Sequence, residues 1–379
     1  MAKRTIGKPR FYADIPSYLK SLGYYTGANS NGLLEGQENA ENVWNMNPVQ
    51  TNNFKINPNP ASFAFRFYTA GDPNEGLPIT EGNKQLSKLL SEVNYAGILN
   101  HNLGTLESSD SGVADSVYLF YSGKYLNDSG EEKIDSGRAK DFTEIVNFNY
   151  LGDNEGIPEY NGYSLWEIGD MSNSNSPHAF SRIQIIVRKQ EDKDFTANIG
   201  ALTFGRFFEP SHSPDLSVKL IKSYEGANIQ TTVGGSTITN FNHLGQPHWG
   251  DLPAWTLEKQ EGHDYKVGGS MGRRSWKVSL SFMADDNVFS KAGNENKFFT
   301  WNDPTTHGTD DEGEAGYTFD SSLSSFFKLT LNGKLPFIFC PDSSATDLEF
   351  ALCRISNQPT FKQVANNMFS TSLTLVETY

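Results

Sequence analysis

Residues 268–272 read Gly-Gly-Ser-Met-Gly, the letters of the G-x-S-x-G nucleophile elbow with Ser270 in the nucleophile's place. That chemistry needs a strand–turn–helix corner that lifts the serine above a sheet. Here the motif runs straight into an alternating stretch at 274–283, and the one histidine downstream is His307, inside an acidic run. A glycine-rich turn is the better reading. His243, His248 and His263 could offer imidazole nitrogens to a metal. Their spacing falls on a Pro/Gly loop, and no cysteine or ordered carboxylate pattern joins them. Asp310, Asp311, Glu312 and Glu314 could bind calcium, but no D-x-D-x-D-G loop surrounds them. Cys340 and Cys353, the chain's two cysteines, match neither a disulfide framework nor a zinc spacing. Asn127-Asp128-Ser129 is a glycosylation acceptor in letters only. No P-loop or dinucleotide fingerprint is visible, and no carboxylate pair stands out among 45 acids. The chain is therefore expected not to be an enzyme, and to use no cofactor and no metal.

The composition limits what such residues can be mounted on. The chain has 379 residues, 31 basic and 45 acidic, for a net charge of −14. Length alone suggests two or three domains. The acidic balance argues against a broad grip on nucleic acid. No run of about 18 apolar residues is present, so no membrane insertion is expected. Residues 1–16 have a basic start but no apolar h-region, so no cleaved signal is expected. Aromatics at 13% with 34 glycines favour many short strands joined by turns. The expectation is a mainly β protein made in a reducing cytoplasm.

Along the chain, residues 1–60 read as an irregular arm, with ten asparagines between Asn29 and Asn59. Its few apolar anchors include Phe11, Tyr12, Tyr24, Tyr25 and Trp44. Two readings stay open: the arm wraps on its own domain, or it packs on a neighbouring subunit. In the second case those five residues are interface contacts. Residues 61–215 read as a β-sandwich with a jelly-roll-like pattern. In it, 62–68 and 182–188 alternate with period two, and Leu86, Leu89, Leu90 and Val93 mark one helix. Tyr160, Tyr163 and Trp166 read as loop aromatics and candidate glycan contacts, since aromatic faces stack on sugars. Residues 216–379 read as a second β-sandwich. Its strand 274–283 has the clearest alternation, and 231–241 and 254–260 are candidate strands. An acidic insertion at 285–320 holds nine acids and two lysines, so −7, with Asp310, Asp311 and Glu312 as candidate interface residues.

Several phrases resemble structural proteins of tailed-bacteriophage tails, in the distal-tail and tail-tip (baseplate hub) class. Asn94-Tyr95-Ala96-Gly97-Ile98-Leu99-Asn100-His101-Asn102-Leu103 is similar to the ILGHNL phrase of their jelly-roll, galactose-binding-like domains, with Asn100 where glycine is usual. Arg182-Ile183-Gln184-Ile185, followed by Ile199-Gly200-Ala201-Leu202-Thr203-Phe204-Gly205, is similar to the strand pair closing that domain. There a glycine packs against a neighbouring strand. Arg274-Ser275-Trp276-Lys277-Val278-Ser279-Leu280, with Leu335-Pro336-Phe337-Ile338-Phe339 and the terminal Ser372-Leu373-Thr374-Leu375, resembles the ring-forming sandwich of tail-tube-like proteins. The resemblance implies a homo-oligomeric ring, a hexamer or trimer, in the virion tail, assembled in the host bacterial cytoplasm. It would contact other tail proteins (tube, hub, fibres), with DNA only passing through its channel. Two alternatives stand beside it: a carbohydrate-binding receptor module of a tail tip, and a head decoration or connector protein.

Overall fold

The computed structural model describes residues 7–23, 25–31, 33–35, 40–56, 62–69, 89–90, 93–104, 114–126, 132–152, 155–170, 182–189, 195–215, 218–223, 227–241, 247–250, 252–255, 272–284, 288, 323–345 and 349–378. The chain opens with β1 (Arg10–Asp14), α1 (Ile15–Ser21), β2 (Tyr25–Asn31), β3 (Leu33–Glu35), β4 (Asn52–Ile56) and β5 (Ser62–Thr69). Then come β6 (Tyr95–His101), β7 (Ala114–Leu126), β8 (Glu132–Arg138), β9 (Lys140–Val146), β10 (Asn149–Gly152) and β11 (Glu155–Ile157). β12 (Gly162–Asp170), β13 (Arg182–Lys189), β14 (Phe195–Phe208) and β15 (Lys219–Ser223) follow. Next are β16 (Ala227–Thr231), β17 (Thr237–Phe241), β18 (His248–Trp249), β19 (Leu252–Pro253) and β20 (Arg273–Ala284). The chain closes with α2 (Leu323–Leu329), β21 (Phe337–Cys340), β22 (Ala351–Ile355), β23 (Phe361–Ala365) and β24 (Met368–Glu377). The protein is mainly β, as its composition predicts.

Two large antiparallel sheets carry the fold. The larger has the order β15-β20-β24-β22-β21-β1-β14-β6-β12-β9, with β23 beside β24 and β3–β4 beside β14. The smaller runs β10-β11-β7-β13-β5-β2, with β8 beside β7. They pack face to face because their strands alternate. Phe63, Phe65 and Phe67 of β5 and Ile183, Ile185 and Val187 of β13 point inward, as the period-two pattern predicts. They meet Ile199, Leu202 and Phe204 of β14 in one core. Phe67 and Phe204 lie 5.6 Å apart, and Trp44 closes the same group at 5.6 Å from each. The opposite face of the large sheet is also buried. Tyr12, Tyr95, Leu99, Tyr163 and Leu165 form a second core there, under Trp249 and Phe350.

The first strand corrects the arm reading. Phe11-Tyr12-Ala13 is not an irregular tail: β1 lies at the middle of the large sheet. It pairs with β14 through Phe11↔Phe208 and with β21 through Phe11↔Phe339. Phe11, Ala13 and Ile15 enter the first core and Tyr12 the second. Strands from all three sequence segments are thus hydrogen-bonded into one sheet, with β1 as the seam. After β1, Asp14 caps α1 by accepting from the Ser17 N–H at 2.8 Å, with Pro16 in the first turn.

At Asn100 the chain takes a left-handed turn, φ 54°. Opposite it, a Cβ on Gly200 would come within 2.3 Å of the Pro48 carbonyl oxygen. Asn100 tolerates this backbone and donates from Nδ2 to that same carbonyl at 2.6 Å. Asn100→Gly keeps the backbone but leaves a buried carbonyl without its donor. Urea unfolding should show a loss of about 1–2 kcal/mol.

Of the predicted helix with Leu86, Leu89, Leu90 and Val93, residues 89–90 and 93 are described. Leu89 and Leu90 are helical, and all three are buried. The candidate strand at 231–241 is instead the end of β16, a turn and β17. In the candidate strand 254–260, residues 254–255 form a turn and the rest lies outside the described residues.

Candidate functional site

The residues singled out for chemistry disperse in the fold. Ser270, His243, His263, His307, Asn127 and the acids Asp310, Asp311, Glu312 and Glu314 lie outside the described residues, as does Tyr24. His248 is exposed on β18. Among the described residues no group of three or more His, Cys, Asp or Glu is placed to hold a metal ion. Tyr25 begins β2 and pairs with Thr69. Phe11, Tyr12 and Trp44, expected as contacts to a neighbour, are buried in this chain's own cores. The candidate glycan residues are corrected in the same way. Trp166 is fully buried and stacks on Phe148 at 4.2 Å. Tyr163 is buried among Trp249, Trp255 and Phe350. Neither ring has a free face for a sugar. Tyr160 is half-buried, and Asn147 grips its backbone at both the N–H and the carbonyl.

Three buried polar centres were not legible in the sequence. In the first, Asp14 also accepts from Thr203 Oγ1 at 2.7 Å, and Thr203 meets the Tyr95 hydroxyl at 3.0 Å. Burial pushes the Asp14 carboxyl up to about 6, against the pull of those donors. In the second, His101 Nδ1 accepts from the Leu103 N–H at 3.2 Å, so Nε2 carries the proton toward Ser164 Oγ at 2.9 Å. Burial pulls this imidazole down to about 3, so it is neutral at pH 7. In the third, Arg274 is buried against Glu377. Its guanidinium donates to Glu377 at 2.6 Å, to Glu349 at 2.8 Å and to the Phe350 carbonyl at 2.8 Å. Each centre ties distant segments together inside the sandwich. Cys340 and Cys353 are free and buried, and burial raises both thiols, Cys340 to about 12. That disfavours the reactive thiolate.

Among the described residues the large sheet ends in exposed side chains. β15 is its terminal strand, and all five of its residues are exposed, Leu220 and Ile221 included. Beneath it opens a recess of about 220 Å³. Leu220, Trp276, Val278 and Phe339 make its apolar lining, Pro9, Pro214 and Pro341 its walls, and Asp342 and Glu349 its acidic side. Small-molecule sites run to about 300–1,000 Å³, so this one has the size for a few side chains. Four residues after β15, the hairpin β16–β17 begins. Among the described residues it pairs only with itself, and every residue from 229 to 239 is exposed. Ile229 is 64% exposed, Ile238 58%, and Val233 at the turn is fully exposed. No part of residues 226–242 carries a charge.

The Gly234-Gly235 pair was a readable signal for this hairpin, since such dipeptides mark tight turns between strands. Its exposure was not readable, because β-branched residues serve a buried strand equally well. No family model matches the chain, and no curated protein and no solved structure matches it either.

Proposed function

We propose that this chain is a non-enzymatic structural subunit of a tailed-bacteriophage tail. It assembles into a homo-oligomeric ring of the distal-tail or tail-tip class that joins other tail components. One observation carries the reading. Among the described residues the large sheet ends at an exposed strand, β15, and the next hairpin in the chain is uncharged, exposes Ile229, Val233 and Ile238 and pairs only with itself. A monomer presenting such an edge risks uncontrolled pairing, whereas a closed ring of head-to-tail contacts removes it. The tail phrases around Asn94–Leu103, Ile199–Gly205 and Arg274–Leu280 point the same way by likeness. So does the charge pattern: four basic residues among the first ten and −7 within 285–320 suit subunits that meet head to tail. An acidic wall also suits a channel through which DNA slides, because it repels phosphate.

The test is mass spectrometry and electron microscopy of purified virions carrying this gene product. The reading expects the chain in the particle at a fixed copy number, located in the tail. A protein expressed during infection but absent from virions overturns it.

A further inference from the structure

We infer that the hairpin β16–β17 of one copy docks on the β15 edge of a second copy, with its apolar side chains entering the recess beneath that edge. This rests on the assembly reading and names the surfaces that would carry it.

The hairpin is built to meet a protein surface. Its own geometry is complete: Ile229 pairs with Thr239, Gln230 with Ile238 and Thr231 with Thr237, and the turn is closed by Thr232 N–H to the Ser236 carbonyl at 2.8 Å. By strand alternation Ile229, Thr231, Thr237 and Thr239 share one face, a strip of β-branched methyl groups. An isolated two-stranded hairpin is marginal in water, and packing against a further surface supplies what it lacks. Exposed apolar groups that a monomer gains nothing by showing mark such a surface.

Charge argues that the surface belongs to a second copy. Two chains of net charge −14 repel each other over most of their area. Residues 226–242 are an exposed, uncharged stretch where one copy can approach another without adding to that repulsion. The receiving edge fits in sign and size. β15 brings Lys219 and Lys222 to its exposed strand, while in the recess Glu349 is paired with Arg274 and Asp342 accepts from the Ser344 hydroxyl. A neutral guest meets no like charge from either. The recess volume of about 220 Å³ suits one or two aliphatic side chains and is small for a cofactor. The open edge of β15 offers backbone groups for strand addition, which gives affinity, while the recess gives specificity. Hairpin and edge are different surfaces on each copy, so the contact is heterologous and propagates until the ring closes.

The test uses the full chain and two variants. Ile229→Asp with Thr239→Asp, a cross-strand pair on that one face, disables the hairpin, and Leu220→Asp disables the edge. All three side chains are exposed, so the fold should persist, checked by near-UV circular dichroism and an unchanged melting temperature. Light scattering should give the parent as an oligomer and each variant alone as a 42.1 kDa monomer. An equimolar mixture of the two variants should recover a two-chain species, because one intact hairpin then faces one intact edge. If either folded variant keeps the parent's mass, or the mixture stays monomeric, the hairpin inference is overturned while the assembly reading stands. A parent that is itself monomeric overturns both.

Discussion

Phe11→Ala is expected to cost about 3–5 kcal/mol, the usual range for emptying a buried phenylalanine site. Its ring lies 5.1 Å from Phe326, 5.2 Å from Phe339 and 6.2 Å from Phe337. Those partners belong to α2 and β21, far along the chain, and the strand carrying Phe11 is hydrogen-bonded to β14 on its other side. The cavity would therefore open where the early, middle and late segments of the chain meet. Domains of this kind hold only about 5–15 kcal/mol in total, so the loss is a large share. The seam leaves little room for relaxation. Gly205 lies so near β1 that a Cβ there would stand 2.0 Å from the Ala13 carbonyl oxygen. The expected thermal scan shows one cooperative transition shifted down, because β1 joins both halves of the large sheet. A variant as stable as the parent, or one that melts in two separate steps, would show that β1 is not the seam. By the same reasoning, deleting residues 1–40 should unfold the protein rather than merely impair its assembly.

The second large effect concerns pH, where two buried groups act with opposite sign. The Asp14 carboxyl is raised from its ordinary 3.8 to about 6, so between those values the native state holds a proton that the unfolded state has released. Stability from this group is present at low pH and falls as pH rises from about 4 to 6. The His101 imidazole is lowered from 6.5 to about 3, so in that interval the unfolded state binds the extra proton. Its effect is the reverse: stability falls as pH drops below 6.5. Over pH 4–6 each is worth about 3 kcal/mol at most, from roughly 1.4 kcal/mol per pH unit, and they nearly cancel. The variants separate them. Relative to the parent, His101→Gln should gain stability as pH falls from 6.5 to 4. Asp14→Asn should lose stability over the same titration. Denaturant unfolding across this range gives both difference curves. Two flat curves, or two of the same sign, would contradict the assigned protonation states.

How much of this was legible in the sequence depended on burial geometry. β5, β13 and β20 each set their large apolar side chains on one face, so their alternation is readable at 62–68, 182–188 and 274–283. β1 is buried on both faces, so Phe11, Tyr12 and Ala13 show no alternation, and five residues are too few to reveal a pattern. The asparagine-rich stretch from Asn29 to Asn59 that follows it reads as an arm. Tyr163 and Trp166 show a different limit. The same aromatic residue stacks on a sugar or fills a core, and only the large sheet's second covered face decides for the core. Arg274 and Glu377 stand 103 residues apart and meet because β20 pairs with β24, a register no local signal encodes. Asn100 stands where glycine is usual in the phrase it resembles, and its left-handed backbone explains why few other residues would serve.

The proposed function requires that this chain assemble with itself. Light scattering on the purified full-length protein, across a hundredfold range of concentration and at two salt concentrations, tests it most directly. The expected result is a discrete mass at a whole-number multiple of 42.1 kDa, with ring-shaped particles by negative-stain microscopy. A protein that remains at 42.1 kDa throughout, with its hairpin and β15 edge free, would contradict it.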